Sequence, residues 1–119
     1  MSVMKKRSYR HLTAFILLVL ARQDMHGGAI HTTLCQTLPN FKTDTGAVYR
    51  CLQELENSGA VKSAWDTSES GPARKKYHIT SLGWDELDEW EKDIKYRLDN
   101  LNYFLITYKE IARERRDGG

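Results

Sequence analysis

The stretch TDTGAVYRCLQELENSG, Thr43 to Gly59, decides the fold. Val48, Leu52 and Leu55 recur at the spacing of one helix face. Thr43 or Asp44 can cap the first free N–H groups. Ser58-Gly59 stops the run with a residue suited to a left-handed C-cap. These signals predict a helix to about Asn57. Its opposite face carries Gly46, Arg50, Gln53 and Asn57, with Tyr49 on the flank.

Upstream, Leu12, Phe15, Ile16, Val19 and Leu20 form an i, i+3, i+4, i+7, i+8 stripe. This predicts a first helix from about Ser8, its N-cap, to Arg22. Lys5, Lys6 and Arg7 ahead of the apolar run Ala14–Ala21 have the outline of an export signal. Tyr9, Arg10, His11 and Thr13 dilute that flank, and the stripe marks a helix packed in a core. The run is also too short to span a bilayer, so no membrane is expected. Gln23 to Gly28 ends the helix, with Gly27-Gly28 read as a tight turn. A short second helix, about Gly28 to Leu38, buries Ile30, Leu34 and Leu38 before Pro39-Asn40 closes it.

Downstream, Ala60–Asp66 reads as a strand with Val61 and Trp65 on one side. Thr67–Ala73, containing Gly71-Pro72, is a turn, and Lys75–Thr80 returns as a second strand, completing a hairpin. Thr80 or Ser81 then caps a long helix. Its apolar seam is Leu87, Trp90, Ile94, Leu98, Leu101, Leu105, Tyr108 and Ala112, in steps of three and four. About 33 residues at 1.5 Å each reach roughly 50 Å, beyond the width of a domain this size. Part of the seam is therefore expected to lie bare in one copy and to pair two copies.

The fold expected is mainly α with a small β-hairpin. It is a winged helix-turn-helix over residues 1–80, followed by a C-terminal dimerisation helix and tail over 81–119. In that architecture the third helix enters the major groove of double-stranded DNA and the hairpin flanks it. The surfaces are armed for it. Arg50 can pair two acceptors on guanine, and Gln53 or Asn57 two groups on adenine. Gly46 lets the helix start approach a phosphate, with Lys42, Thr43 and Thr45 clustered there. Arg74, Lys75 and Lys76 beside the Gly-Pro turn suit phosphate contact or the protection of an edge strand. Lys5, Lys6, Arg7 and Arg10 suit phosphates or a solubilising tail equally well.

The formal net charge of the 119 residues, +2, hides a segregation. Residues 1–22 hold five basic residues and no acid, whereas residues 81–119 hold seven basic and ten acidic. The charges thus divide between two surfaces with different partners. Two cysteines, Cys35 and Cys51, cannot make a disulfide framework. Both are expected as small buried thiols in a reducing cytoplasm.

The sequence from Thr45 to Val61 also resembles the signature of the PadR family of bacterial transcriptional regulators. So does Gly71-Pro72-Ala73-Arg74-Lys75-Lys76-Tyr77-His78-Ile79-Thr80-Ser81-Leu82-Gly83. His26-Gly27 matches the family's turn before the second helix. The resemblance covers about residues 8–90 and is closest to the shorter subgroup with a single C-terminal helix. It implies a homodimeric winged-helix regulator, usually a repressor, on a palindromic operator. It also implies that Tyr49 and the residues around Thr45 and Gly46 touch DNA, and that Arg74 to Lys76 belong to the wing. One departure is Gly28, where the family usually carries Tyr or another large residue.

The same residues admit other readings. His31 and Cys35 at i, i+4, with His26 nearby, have a zinc-compatible spacing, but two or three ligands do not complete a tetrahedral site. A metal-responsive sensor is thus an alternative, and no metal or cofactor is expected. No nucleophile motif, phosphate-cradling glycine loop or HExxH occurs, so no enzyme is expected. A protein-interaction module has only the exposed seam in its favour. Trp84, Trp90, Tyr96, Tyr103, Phe104 and Tyr108 could stack a flat aromatic effector between subunits, the plainer reading being dimer and core packing.

Overall fold

The computed structural model describes residues 11–68 and 70–118. The expected Ser8 cap and the cluster Lys5, Lys6, Arg7 and Arg10 lie outside the described residues. The elements in chain order are α1 (Leu12–Arg22), β1 (Met25–His26), α2 (Gly27–Thr37), α3 (Thr45–Ser58), β2 (Val61–Asp66), β3 (Arg74–Ile79) and α4 (Ser81–Asp117). They fall into two compact units, one ending at Leu87 and one beginning at Asp88.

In the first unit the helices meet over a core whose most enclosed side chains are Ile16, Leu17 and Leu20 of α1, Ile30 and Leu34 of α2, Val48 and Leu52 of α3, and Val61 of β2. The α1 stripe is broader than its periodicity predicts, because Ala14 and Leu17 are buried too, while Leu18 is exposed. Each large aliphatic side chain buried here contributes about 1.5–3 kcal/mol.

The α3 boundaries follow from two local devices. Asp44, not Thr43, is the N-cap, its Oδ1 accepting from Ala47 N–H at 2.7 Å. At the other end Gly59 takes φ 87°, where a side chain would be strained. Ala60 N–H donates to Leu55 O and Gly59 N–H to Glu56 O, the paired bonds of a Schellman stop.

Three expectations are corrected. Gly27-Gly28 is not a tight turn but the first two residues of α2. Glycine is tolerated there because the first helical N–H groups have no intrahelical partner to lose. The hairpin is part of a three-stranded antiparallel sheet ordered β1-β3-β2, since Met25 and His26 pair with Tyr77 and Lys76. A two-residue strand leaves no alternating pattern to read. Cys35 is exposed and Cys51 only half-buried, because α2 turns Ile30 and Leu34 inward and Cys35 out.

Sheet register sorts the wing residues. Val61, Ser63 and Trp65 lie opposite Ile79, Tyr77 and Lys75 on one face. Lys62, Ala64 and Asp66 lie opposite His78, Lys76 and Arg74 on the other. Val61, Tyr77 and Ile79 are buried, but Trp65, on the same side, is 66% exposed.

Thr80 joins the wing to α4, its N–H donating to Ala60 O at 3.0 Å. Thr80 Oγ1 shares its proton between Gly59 O (2.6 Å) and Ala60 O (3.0 Å) and accepts from Gly83 N–H (3.2 Å). Gly83 is buried, and a Cβ there would overlap the Ala60 carbonyl oxygen and come within 2.5 Å of Ile79 Cγ1. The second unit is the rest of α4. On it Leu98, Leu101, Leu105 and Tyr108 are more than half exposed, and Ile94 is half-buried. No helix among the described residues is long and apolar enough to cross a membrane.

Candidate nucleic-acid interface

The candidate interface is built on α3. Ala47, Val48, Leu52 and Leu55 are buried against the core. That rotation leaves Gly46, Arg50, Gln53 and Asn57 exposed along the other side. Gln53 Nε2 donates to Asn57 Oδ1 at 3.0 Å, so the two amides form one hydrogen-bonded unit. The Arg50 guanidinium lies back toward the start of the helix, where a Cβ on Gly46 would sit 3.3 Å from it.

Just ahead of α3, Lys42 and Thr45 are exposed and Thr43 is half-buried. The Thr43 carbonyl is held by His31 Nε2 at 2.8 Å, which pins the approach loop to α2. The Thr43 hydroxyl oxygen is buried with no hydrogen-bond partner among the described residues.

Tyr49 is half exposed, and its ring lies on Gly27. A Cβ at Gly27 would overlap Tyr49 Cε1 and come within 2.7 Å of Cζ. The glycine of the His-Gly pair therefore seats this tyrosine. At Gly28 a Cβ would meet nothing within 4 Å, so the departure from the family pattern leaves no hole in the packing.

The wing cations do not share one face. Arg74 and Lys76 lie on one side of β3, and Lys75 lies on the other, toward α3. The Lys75 ammonium is 5.7 Å from the centre of the Trp65 ring and 4.0 Å from Glu56 Oε1 of α3. Glu56 Oε2 accepts from the Ser63 hydroxyl at 2.6 Å.

Two histidine–aspartate contacts tie β1 and its approach to the wing. His26 Nε2 lies 2.9 Å from Asp66 Oδ2, and His78 Nδ1 lies 2.8 Å from Asp24 Oδ1. Asp66 also accepts from the Ser68 hydroxyl (2.6 Å) and Ser68 N–H (3.0 Å). These Ser68 bonds, helped by His26, hold the Asp66 carboxyl down at about 2. Burial pushes the Tyr77 hydroxyl and the Cys51 thiol up. Sequence reading missed both His–Asp contacts, because Asp24 and Asp66 stand far in sequence from the histidines they meet.

The zinc-compatible set is not assembled. Cys35 Sγ lies 3.7 Å from His31 Nε2, the nitrogen already placed on Thr43 O. His26 turns instead to Asp66. Among the described residues, no group of three or more His, Cys, Asp or Glu could hold a metal ion. On α4, the Phe104 and Tyr108 rings stack 6.2 Å apart at 9°.

A three-helix core, a β-wing and a polar face on the third helix define the winged-helix class of regulators. The sequence matches the transcriptional regulator PadR-like family over residues 16–89, and the chain belongs to that family. Solved structures agree. A PadR family transcription regulator from Clostridium difficile R20291 has TM-score 0.68 at 25% identity, over 80% of this chain and 98% of that one. A PadR-like transcription factor from Bacteroides fragilis has TM-score 0.69 at 25% identity, over 87% of this chain and 99% of its own. An uncharacterized protein of Lysinibacillus sphaericus is 30% identical over 84 residues, 70% of this chain and 77% of that protein.

Proposed function

We propose that this regulator binds double-stranded DNA by sequence, as a homodimer, and represses by occupying a palindromic operator. One observation carries the reading: Gly46, Arg50, Gln53 and Asn57 are exposed along one side of α3 while Val48, Leu52 and Leu55 on the other are buried. Such a helix is firmly seated, and its free side has the donors and acceptors that read base edges. Arg50 would pair with guanine, and the Gln53–Asn57 unit would present its remaining amide groups to adenine. Tyr49, Thr45 and Gly46, with Lys42 and Thr43 beside them, would set the helix start on a phosphate. Arg74, Lys75 and Lys76 would hold the flanking backbone, which positions without specifying.

The dimer reading rests on α4. Leu98, Leu101, Leu105 and Tyr108 continue the seam begun by Leu87, Trp90 and Ile94, and a second copy would cover them. Paired copies would offer two α3 helices to major-groove sites about 34 Å apart, hence the palindrome. Such a partner places the protein in the cytoplasm. Selection of bound fragments from genomic DNA at stated salt tests all of this. Enrichment of inverted repeats, with affinity falling steeply as salt rises, is expected. Failure to enrich any sequence would overturn the reading.

A further inference from the structure

Helix α2 turns one of its edges to the start of α3. Gly27 seats the ring of Tyr49. One helical turn further along the same edge, His31 Nε2 meets the Thr43 carbonyl at 2.8 Å. A carbonyl oxygen can only accept, so Nε2 carries the proton. Phe41 steadies the imidazole edge-on, the two ring centroids 6.2 Å apart at 62°. Cys35 Sγ lies 3.7 Å from the same nitrogen, a longer and weaker contact. Thr43 stands one residue before the Asp44 cap, and its own hydroxyl oxygen has no hydrogen-bond partner among the described residues. The polar hold of α2 on this residue therefore runs through its carbonyl. Core packing does not require it. Val48, Leu52 and Leu55 fix the rotation of α3, and Ile30 and Leu34 seat α2, whereas His31 is only half-buried beside them.

We propose that His31 is a positioning residue for sequence recognition: it fixes where α3 begins against the DNA. It acts through the Thr43 carbonyl and not on a base. Lys42 and Thr45, both exposed, stand on either side of the residue it holds. Phosphate contacts from such positions set the register in which a helix meets base edges. A binding surface keeps its groups within about 0.5 Å of the productive geometry only where supporting hydrogen bonds hold it. With Thr43 released, the loop over residues 38–44 can shift, and Arg50 and Gln53 then meet the groove in more than one register. Charge attraction to an arbitrary duplex does not need that order. His31 thus governs discrimination between sequences more than overall affinity. The inference rests on the DNA-binding reading above and gives a part in it to a histidine that no metal site absorbs.

The test uses the full chain and a pair of duplexes of equal length, one selected from genomic DNA as above and one a scrambled version of it. His31→Leu keeps much of the bulk of the ring but donates no hydrogen bond. It should bind the selected duplex about three- to tenfold more weakly, as the loss of one hydrogen bond implies. The scrambled duplex should stay within about twofold of its affinity for the unaltered chain. His31→Gln has an amide N–H at the reach of Nε2 and should restore most of the difference. Backbone amide resonances of residues 41–45 should move in the Leu variant and return in the Gln variant, with those of Val48 to Leu55 unchanged. Equal weakening on both duplexes would overturn the proposal, since a merely structural histidine lowers all binding alike. Leu and Gln variants that behave the same would also overturn it. If the unaltered chain does not tell the two duplexes apart, the DNA-binding reading itself fails and takes the proposal with it, a result separate from either.

Discussion

The Arg50 guanidinium stands on the exposed side of α3, where it can meet a guanine edge without moving any buried group. Arg50→Ala should weaken operator binding by about 1–3 kcal/mol and relax base choice at one position, leaving the melting temperature unchanged. Titrating a selected operator and its single-base variants checks both. Two glycines make a sharper pair. Gly27→Ala would push on the ring of Tyr49, which is half exposed and free to swing out, so the stability loss should be about 1 kcal/mol. The tyrosine would leave its seat, however, and DNA affinity should fall by more than stability does. Gly83→Ala would press on the Ala60 backbone, which cannot swing, and should cost about 2–3 kcal/mol in denaturant melts. The exposed face of α3 was legible because helical periodicity forces it. The role of Gly27 was not, because its reason is a ring that arrives from another helix.

At the level of elements, α3 and α4 were readable from the chain, since caps and repeats are local signals. The three-stranded sheet was not, since β1 offers only two residues and is defined by its pairing to β3. Likewise the run Arg74, Lys75 and Lys76 reads as one basic patch until strand alternation divides it. The His26–Asp66 contact that ties β1 to the far end of β2 is open to a pH test. The Asp66 carboxyl is held down at about 2, so the folded state favours its charged form. Stability from these bonds is present above the unfolded carboxylate range of about 4 and is lost as pH falls toward 2. The Ser68 amide resonance should therefore move with a midpoint near 2, and in Asp66→Asn it should not titrate there. An unshifted midpoint in the unaltered chain would contradict the bonding described.

For the whole molecule, the decisive question is what covers the apolar seam of α4. Leu101→Asp with Leu105→Asp should halve the mass seen by light scattering while leaving the first unit folded. Operator affinity should then fall by the full advantage of two-site binding. An unaltered dimer would remove α4 from the interface. The net charge of +2 averages a basic front and an acidic C-terminal helix, so the wing and α3, not the total, carry the DNA reading. The Thr80 hydroxyl bears on a different property, the tolerance of the chain to changes in length. It fastens the end of α3 to the start of α4 across the foot of the wing, so one residue added between Ile79 and Gly83 would shift every group it holds. Ser68, at the far end of the hairpin, is held to Asp66 two residues before it, a local fastening that a longer loop would keep. Variants of this fold should therefore differ freely in the reach of the wing and hardly at all in the spacing at its root.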